Sequence, residues 1–290
     1  MSGTANTSYI IGLADHRTFV GHVYYGRRVR GQDLRYLLRT GEAPFVPSEN
    51  ERERCSFYDT FPSEYSGNGV GDYRESSIAV RTQAGQHAVM PTYVSYEITD
   101  QKPELPGLPS AFDRENTAQT LILHCRDEVL QLDVDLYYTV FEENDMITRS
   151  VRICNHSKEA VYLMKAYSAC LDMDDDGYEM LTLHGSWGRE RQMDRRPIGY
   201  GKTSVGSIRG ESSHQEHPFM AWMKSSSTQT AGEVYAMHFI YSGNFIAQLE
   251  KSQFDRWEFI RQIFPGNWKA KKPFIHRKWH LPSPQRDLEK

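Results

Sequence analysis

The stretch Leu130–Val140, with the sequence L-Q-L-D-V-D-L-Y-Y-T-V, carries a regular alternation of apolar and polar residues. In its first half, leucine or valine stands at every even position, and glutamine or aspartate stands at every odd one. Successive side chains of a β-strand point to opposite faces. This period of two therefore predicts a half-buried antiparallel strand with one face against a core.

Short alternating segments of the same kind recur along the chain, in which aromatic residues make up 12% of the total. Such runs favour strands, and turn-forming groups such as Glu143-Asn144-Asp145 separate many of them. Gln32–Thr40, closed by Gly41, is predicted to be a short helix. The expected fold is all-β, a large antiparallel sandwich with few short helices. The other predicted strands are Tyr9–Leu13, Thr18–Tyr24, Ser77–Arg81, Val94–Thr99, Thr120–His124, Ile147–Asn155, Val161–Leu171, Tyr178–His184, Glu233–Tyr241 and Phe245–Leu249.

Length and charge exclude several classes of protein. The 290 residues have a formal net charge of -4 without long single-sign runs, so we expect no nucleic-acid partner. No stretch approaches the roughly 18 apolar residues of a membrane span, and the first residues lack a signal-peptide pattern. We expect a soluble, cytoplasmic protein without a membrane partner. A sandwich and a (β/α)₈ barrel do not fit together in this length, because the barrel alone takes roughly 250 residues.

Metal and cofactor chemistry has no specific support in the sequence. Cys55, Cys125, Cys154 and Cys170 show no C-x-x-C spacing, and the 11 histidines show no H-x-H or H-E-x-x-H spacing. We expect free, mostly buried thiols, no metal and no cofactor. Asp172–Gly177 matches the opening of a calcium-binding loop, but leucine stands where the twelfth-position glutamate is required. A tight hairpin turn is the preferred interpretation of that segment.

Three sequence motifs combine uncommon residue types at fixed spacing. The first is Y-D-T-F-P-S-E-Y at Tyr58–Tyr65, followed by G-V-G-D-Y-R at Gly69–Arg74. The second is L-H-G-S-W-G-R-E-R at Leu183–Arg191, and the third is S-I-R-G-E-S-S-H-Q at Ser207–Gln215. They resemble, in order, motifs of the N-terminal domain of glycoside hydrolase family 36, the bacterial and fungal α-galactosidases. The resemblance extends from about Ser8 to Trp268.

This resemblance implies a β-supersandwich that precedes a (β/α)₈ catalytic barrel in the intact enzymes. They hydrolyse terminal α-galactosyl groups with retention, using a nucleophilic and an acid/base carboxylate. Both are aspartates of the barrel, so no residue of this chain is assigned a catalytic role and its own enzyme activity is left open. Family members are commonly tetramers in which loops of this domain border a neighbouring subunit's sugar pocket. The resemblance thus implies a homo-oligomer and α-galactosides as partners.

The family's loop corresponds here to Asp59–Arg74, within the long Glu42–Gly71 loop region. Carboxylates, a guanidinium and aromatic rings are suited to contacts with sugar hydroxyls and pyranose faces. An alternative is that the aspartate and arginine at the end of the loop pair with each other and hold the loop in place. The candidate substrate-contacting residues are Asp59, Phe61, Tyr65, Asp72 and Arg74.

The other two motifs are interpreted as structural. The W-G-R-E-R segment predicts a strand end or hairpin that supports the sandwich or its interface with a barrel. The S-S-H segment places hydroxyls beside an imidazole, but adjacency in sequence does not make a catalytic triad. The residues concerned are Trp187, Arg189, Glu190, Arg191, Ser212, Ser213 and His214.

The two ends of the motif-bearing region suggest the domain organisation. We expect a sandwich domain over residues 1–269 and an irregular basic tail over 270–290. Codons permitted for Lys271–Lys290, read in another frame, give K-A-F-H-T-P-E-V, similar to the family's next segment. The favoured interpretation is therefore a frameshift after Trp268 that truncates an α-galactosidase before its barrel. The alternative is a stand-alone carbohydrate-binding or interaction module with an ordinary tail.

Overall fold

The computed structural model of the chain describes residues 2–31, 33–38, 58–69, 71–105, 108–115, 117–212, 214–253, 256–263 and 268–270. Within these ranges the secondary structure consists of β-strands and two single-turn 3-10 helices, Arg35–Leu37 and Glu142–Asn144. No helix in the described part is long and apolar enough to cross a membrane. The all-β prediction is confirmed.

The strands alternate with turns along the described part of the chain, and most are between five and ten residues long. In chain order they are β1 (Ser2–Gly3), β2 (Thr7–Ala14), β3 (Phe19–Arg27), β4 (Ile78–Thr82), β5 (Thr92–Thr99), β6 (Gln119–Asp127), β7 (Leu132–Phe141), β8 (Met146–Asn155), β9 (Val161–Asp174), β10 (Tyr178–Ser186), β11 (Arg189–Pro197), β12 (Gly201–Ser207), β13 (Glu216–Lys224), β14 (Val234–His238), β15 (Phe245–Lys251), β16 (Arg256–Ile263) and β17 (Trp268–Ala270).

The strands form antiparallel sheets around one core. The orders are β1-β2-β3, β5-β6-β7-β8, β11-β10-β13-β14 and β12-β15-β16-β9-β17, with β4 paired to the first half of β9. Side chains from all four sheets meet in a single buried cluster that includes Tyr9, Leu136, Leu171, Trp222 and Phe245. The aliphatic face predicted for the Leu130–Val140 stretch supplies much of this cluster.

Strand β7 begins at Leu132 rather than Leu130, because Gln131 lies in a turn with φ 53°. It is also more buried than a half-exposed strand. Asp135, on the polar face, is buried and binds His124 Nδ1 at 2.7 Å and Arg152 Nε at 2.6 Å. Pairing of this kind is what allows a charged side chain to be buried.

Two local predictions are wrong. The predicted helix Gln32–Thr40 is reduced, in its described part, to the single turn Arg35–Leu37. The Asp172–Gly177 segment is not a hairpin turn: residues 172–174 end strand β9, and residues 175–177 form a short connection with Gly177 at φ 70°. The strands on either side of it, β9 and β10, pair in different sheets, so the connection carries the chain from one sheet to another.

Candidate functional site

The segment that follows Tyr58 is pinned to strand β3 by backbone hydrogen bonds. His22 N donates to Pro62 O at 2.6 Å, and Glu64 N donates to Val20 O at 3.0 Å. The Phe61 side chain is buried in a small apolar cluster with Ala14 and Leu38. The loop motif is thus an integral part of the sandwich and does not merely lie on its surface.

The buried guanidinium of Arg74 links several parts of the loop to each other and to strand β9. It forms a two-bond pair with Asp72, with Nε to Oδ1 at 3.0 Å and Nη2 to Oδ2 at 2.9 Å. Its Nη1 donates to Asp172 Oδ2 of β9 at 2.7 Å. Its Nη2 also donates to the carbonyl oxygens of Phe61 at 2.7 Å and Tyr58 at 3.1 Å. These side chains are almost completely buried, so the internal pairing of Asp72 and Arg74 is confirmed.

A second buried charge cluster surrounds Glu64, the glutamate of the same motif. Its carboxylate accepts hydrogen bonds from Tyr9 OH at 2.8 Å, Tyr138 OH at 2.6 Å and His22 Nδ1 at 2.9 Å. The Arg149 guanidinium lies 3.0 Å from it. Burial acts to raise the pKa of Glu64, but Arg149 and the hydrogen bonds outweigh it and hold that pKa below its usual value. Sequence reasoning missed this cluster because its members come from five separate segments.

The predicted substrate-contacting residues differ in their accessibility. Phe61 and Tyr65 are buried, and Tyr65 OH donates to Tyr167 O at 3.0 Å. Asp59 is partly exposed and accepts a long hydrogen bond from Tyr73 N at 3.4 Å. Tyr73 itself is 72% exposed, and we did not select it from the sequence, although it occupies the aromatic position of the G-V-G-D-Y-R word.

The space behind the loop is too small for a sugar. A cavity of about 40 Å³ is lined by Phe19, Tyr58, Phe61, Tyr65 and Asp72, among others. By the same measure, a cavity needs about 10–15 Å³ to hold one water, so this one has room for only a few waters. Any saccharide that meets this loop therefore contacts its outer surface, where Asp59 and Tyr73 lie.

The W-G-R-E-R motif forms the tip of the β10–β11 hairpin, as expected for a hairpin. Ser186 and Arg189 pair across a two-residue turn, and the Trp187 side chain at this turn is 87% exposed. Glu190 accepts a hydrogen bond from Gly188 N at 2.9 Å, and Arg189 Nε donates to Ser186 Oγ at 2.8 Å. These contacts are local to the turn, and all nine residues of β11 are exposed.

The S-S-H segment lies beside this hairpin. Ser212 N donates to Ser242 O at 2.7 Å, and His214 Nδ1 lies 3.9 Å from Glu190 Oε1. Ser213 lies outside the described residues. Within the described ranges, no group of three or more His, Cys, Asp or Glu side chains is arranged to hold a metal ion.

A larger cavity of about 530 Å³ lies where β8, β9 and β14 approach each other. Its wall is mainly apolar and aromatic, and it includes Tyr25, Phe219 and Tyr241. The polar residues Thr148, Ser168 and Arg149 also line it. Its volume and mixed lining are typical of small-molecule sites.

The sequence profile of the glycosyl hydrolase family 36 N-terminal domain matches residues 18–269. The chain belongs to this family. Among the curated family 36 proteins, it is 38% identical over 255 residues to the bifunctional α-galactosidase/sucrose kinase AgaSK of Mediterraneibacter gnavus, a match that covers 87% of this chain and 27% of AgaSK. It is 37% identical to α-galactosidase Mel36A of Lactobacillus acidophilus, a match that covers 91% of this chain and 36% of Mel36A.

Solved family 36 structures share the fold. The crystal structure of α-galactosidase AgaA from Geobacillus stearothermophilus aligns with a TM-score of 0.90 at 32% identity, over 94% of this chain and 38% of that one. The galactosidase domain of AgaSK aligns with a TM-score of 0.89 at 34% identity. The chain thus spans about a third of the length of the family members it matches, in their N-terminal β-sandwich.

Proposed function

We propose that this chain serves as the substrate-bordering sandwich of a family 36 α-galactosidase assembly. In this role the outer surface of the Tyr58–Arg74 loop lines the mouth of a galactoside pocket that a catalytic barrel supplies. The observation that carries the proposal is the buried Arg74 clamp. It anchors the loop on Asp72, Asp172 and two loop carbonyls, while Asp59 and Tyr73 remain at the surface.

The two surface groups have the chemistry for a sugar contact. The Asp59 carboxylate accepts hydrogen bonds from hydroxyls, and the exposed Tyr73 offers both a ring face and a phenol. The buried Phe61, Tyr65, Asp72 and Arg74 position these groups rather than meet the sugar. Direct contact through those four residues stays a prediction, and their burial argues for the positioning role.

The chemical step belongs to a carboxylate pair on a barrel. In this proposal the chain supplies the border of the pocket, and the reacting groups come from the barrel. We extend the proposal to a homo-oligomer, in which the loop of one copy reaches the pocket of another. Three buried reduced cysteines, Cys125, Cys154 and Cys170, support a reducing compartment such as the cytoplasm.

A chimera tests the role of the loop. Residues 18–269 replace the matching region of Lactobacillus acidophilus Mel36A, and hydrolysis of an aryl α-galactoside is measured. We expect activity in the chimera and a loss of about 10–100-fold in kcat/KM for Asp59→Asn, the range for one hydrogen bond to a charged group. Glu143→Gln, at an exposed turn, is the control. An Asp59→Asn chimera as active as this control would contradict the proposal.

A second candidate function is a carbohydrate-binding module, favoured by the 530 Å³ cavity with its aromatic and hydroxyl lining. It predicts that raffinose raises the melting temperature of the purified chain without being hydrolysed. Tyr241→Ala is expected to abolish this shift. If raffinose leaves the melting temperature unchanged at high concentration, the binding-module function is excluded.

A further inference from the structure

The cavity of about 530 Å³ between β8, β9 and β14 combines a largely apolar wall with one lysine. The apolar part of the wall includes the side chains of Phe219, Met237 and Phe239 and the fully buried Leu171 and Trp222. Burial of apolar surface contributes roughly 25 cal/mol for each Å² removed from water. Such a wall therefore favours a ligand that is itself apolar over most of its length.

The charged groups around the cavity are not equally neutralised. The described lining residues that can carry charge near neutral pH are Lys102, Asp145, Arg149 and His238. The Arg149 guanidinium is paired with the Glu64 carboxylate, 3.0 Å away. The Asp145 carboxylate accepts hydrogen bonds from the backbone and side-chain amides of Asn6, and His238 is exposed to solvent. The charge that is left for a ligand is therefore that of Lys102.

Lys102 is partly buried and poorly satisfied. Within the described ranges, no carboxylate forms an ion pair with its ammonium group, and its Nζ donates one long hydrogen bond, to Pro103 O at 3.3 Å. An ammonium group has three protons to donate. Partial burial lowers the pKa of Lys102, although Asp113 acts in the opposite direction. An anion bound beside this group would stabilise its charged form.

The backbone around Lys102 is held at the cavity wall. Lys102 precedes Pro103, and a residue before proline is restricted to extended conformations. The carbonyl oxygen of Gln101 accepts a hydrogen bond from the buried Thr120 hydroxyl of β6 at 2.8 Å. Pro103 and Leu105 line the cavity as well. Lys102 thus lies on an anchored segment beside the apolar wall.

We propose that this cavity binds an amphipathic monocarboxylate, whose apolar body packs against Trp222 and Phe239 and whose carboxylate pairs with the ammonium group of Lys102. Alkanoates and aryl carboxylates share this chemistry, and the wall is both aliphatic and aromatic. Such binding requires no part of the Tyr58–Arg74 loop, so it goes beyond the proposed function. It uses the same cavity as the binding-module function but a different ligand, since a neutral sugar offers no charge to Lys102.

Calorimetric titration of the purified chain tests the class of ligand. Octanoate and 2-naphthoate are the probes. Octan-1-ol and 2-naphthol, in which a hydroxyl replaces the carboxylate, are their neutral comparators. We expect at least one of the carboxylates to bind about 10–100-fold more tightly than its comparator, the range for one hydrogen bond to a charged group.

Substitution of Lys102 separates recognition of the charge from simple hydrophobic binding. Lys102→Met removes the charge from an unbranched side chain of similar length. It is expected to abolish the preference for the carboxylate and to leave the affinity for the neutral comparator unchanged. Lys158→Met, at an exposed site elsewhere, is the control and is expected to keep the preference. Melting temperatures of the unliganded variants establish that each is folded.

Several outcomes would overturn this assignment. They are the absence of binding by both carboxylates, equal affinity for the carboxylates and their neutral comparators, and equal effects of Lys102→Met and Lys158→Met. Binding of raffinose without binding of either carboxylate would also overturn it, while leaving the binding-module function in place. Hydrolysis by the chimera does not enter these measurements, so the galactoside role of the loop is tested separately.

Discussion

Glu64 is charged although its side chain is fully buried, because every neighbour of its carboxylate is a donor. His22 Nδ1 must carry a proton to bind it, since an ionised carboxylate only accepts hydrogen bonds. The pKa of Glu64 is lowered on folding, despite burial, chiefly through Arg149. A lowered carboxyl pKa adds stability that is present above the unfolded-state pKa and is lost as the pH falls through the folded-state value.

Replacing Glu64 by glutamine therefore changes how stability depends on pH. We expect Glu64→Gln to lower the free energy of unfolding at pH 7 by about 3–5 kcal/mol, because it leaves Arg149 buried without its counterion. Below the ordinary glutamate range, near pH 4, the difference from the parent should shrink. Urea titrations between pH 7 and pH 3 measure it. Glu104→Gln, at an exposed loop, is the control, and a pH-independent difference would contradict the account.

Arg74 and Arg35 form a natural matched pair, since each binds an aspartate two residues before it. Arg74 with Asp72 is buried, whereas Arg35 with Asp33 is exposed. A lysine cannot reproduce the planar fork that reaches two carboxylates and two carbonyls. We expect Arg74→Lys to cost about 2–3 kcal/mol in chemical denaturation. Arg35→Lys should leave the denaturation midpoint unchanged, and equal effects would show that the buried clamp is unimportant.

At the scale of the loop and its neighbouring strands, one glycine permits a close approach of two backbones. A Cβ added to Gly67 would lie 2.0 Å from Val89 O, beside the bridge between Asn68 and Val89. Gly67→Ala is expected to lower stability by about 1–3 kcal/mol, since backbone must move to admit the methyl group. Thermal melts against Gly199→Ala, which has open space around it, measure the effect. If Gly67→Ala left stability unchanged, the loop would be packed less closely against Val89 than the structure indicates.

The predictability of individual strands follows from a visible apolar period and not from burial alone, since the exposed β5 was predicted and the buried β13 was not. Strand β7 was recognisable because its alternating pattern reflects a face against the core. Strand β11 was not predicted as a full strand, because all nine residues are exposed and no apolar period marks them. The pairing of β10 with β11 holds that strand in place, and the tip motif at Trp187 signalled the hairpin but not its length.

At the scale of the whole molecule, the main core, to which all four sheets contribute, predicts one cooperative unfolding unit. Cys125, Cys154 and Cys170 lie buried in β6, β8 and β9, and burial raises the pKa of Cys125 to about 12. In a Cys55→Ser background we expect all three thiols to react with a thiol reagent only on global opening, and therefore with one common opening free energy. Mass-spectrometric labelling under native conditions measures this. Much faster labelling of one cysteine would reveal a separate unfolding unit.

Local pattern was enough to predict strands, the all-β class and, through the motif words, the family. These features depend on neighbours in sequence, because a period of two and a fixed turn spacing are written in adjacent residues. The hairpin at Asp172–Gly177 failed for the opposite reason, because its outcome depends on which sheets β9 and β10 join, which is a long-range choice. The shortening of the helix predicted at Gln32–Thr40 has no explanation in the structure.

The site's internal architecture came from the tertiary structure alone. Arg74 meets Asp172 across 98 residues of sequence, and the loop residue Glu64 meets Arg149 of β8 across 85. Neither pairing is visible in the chain, since 38 acidic and 34 basic residues allow very many partners. The packing of the sheets against each other decides which charged side chains are buried together. Each must find a partner there, because burying an unpaired charge costs more free energy than the rest of the fold can offset.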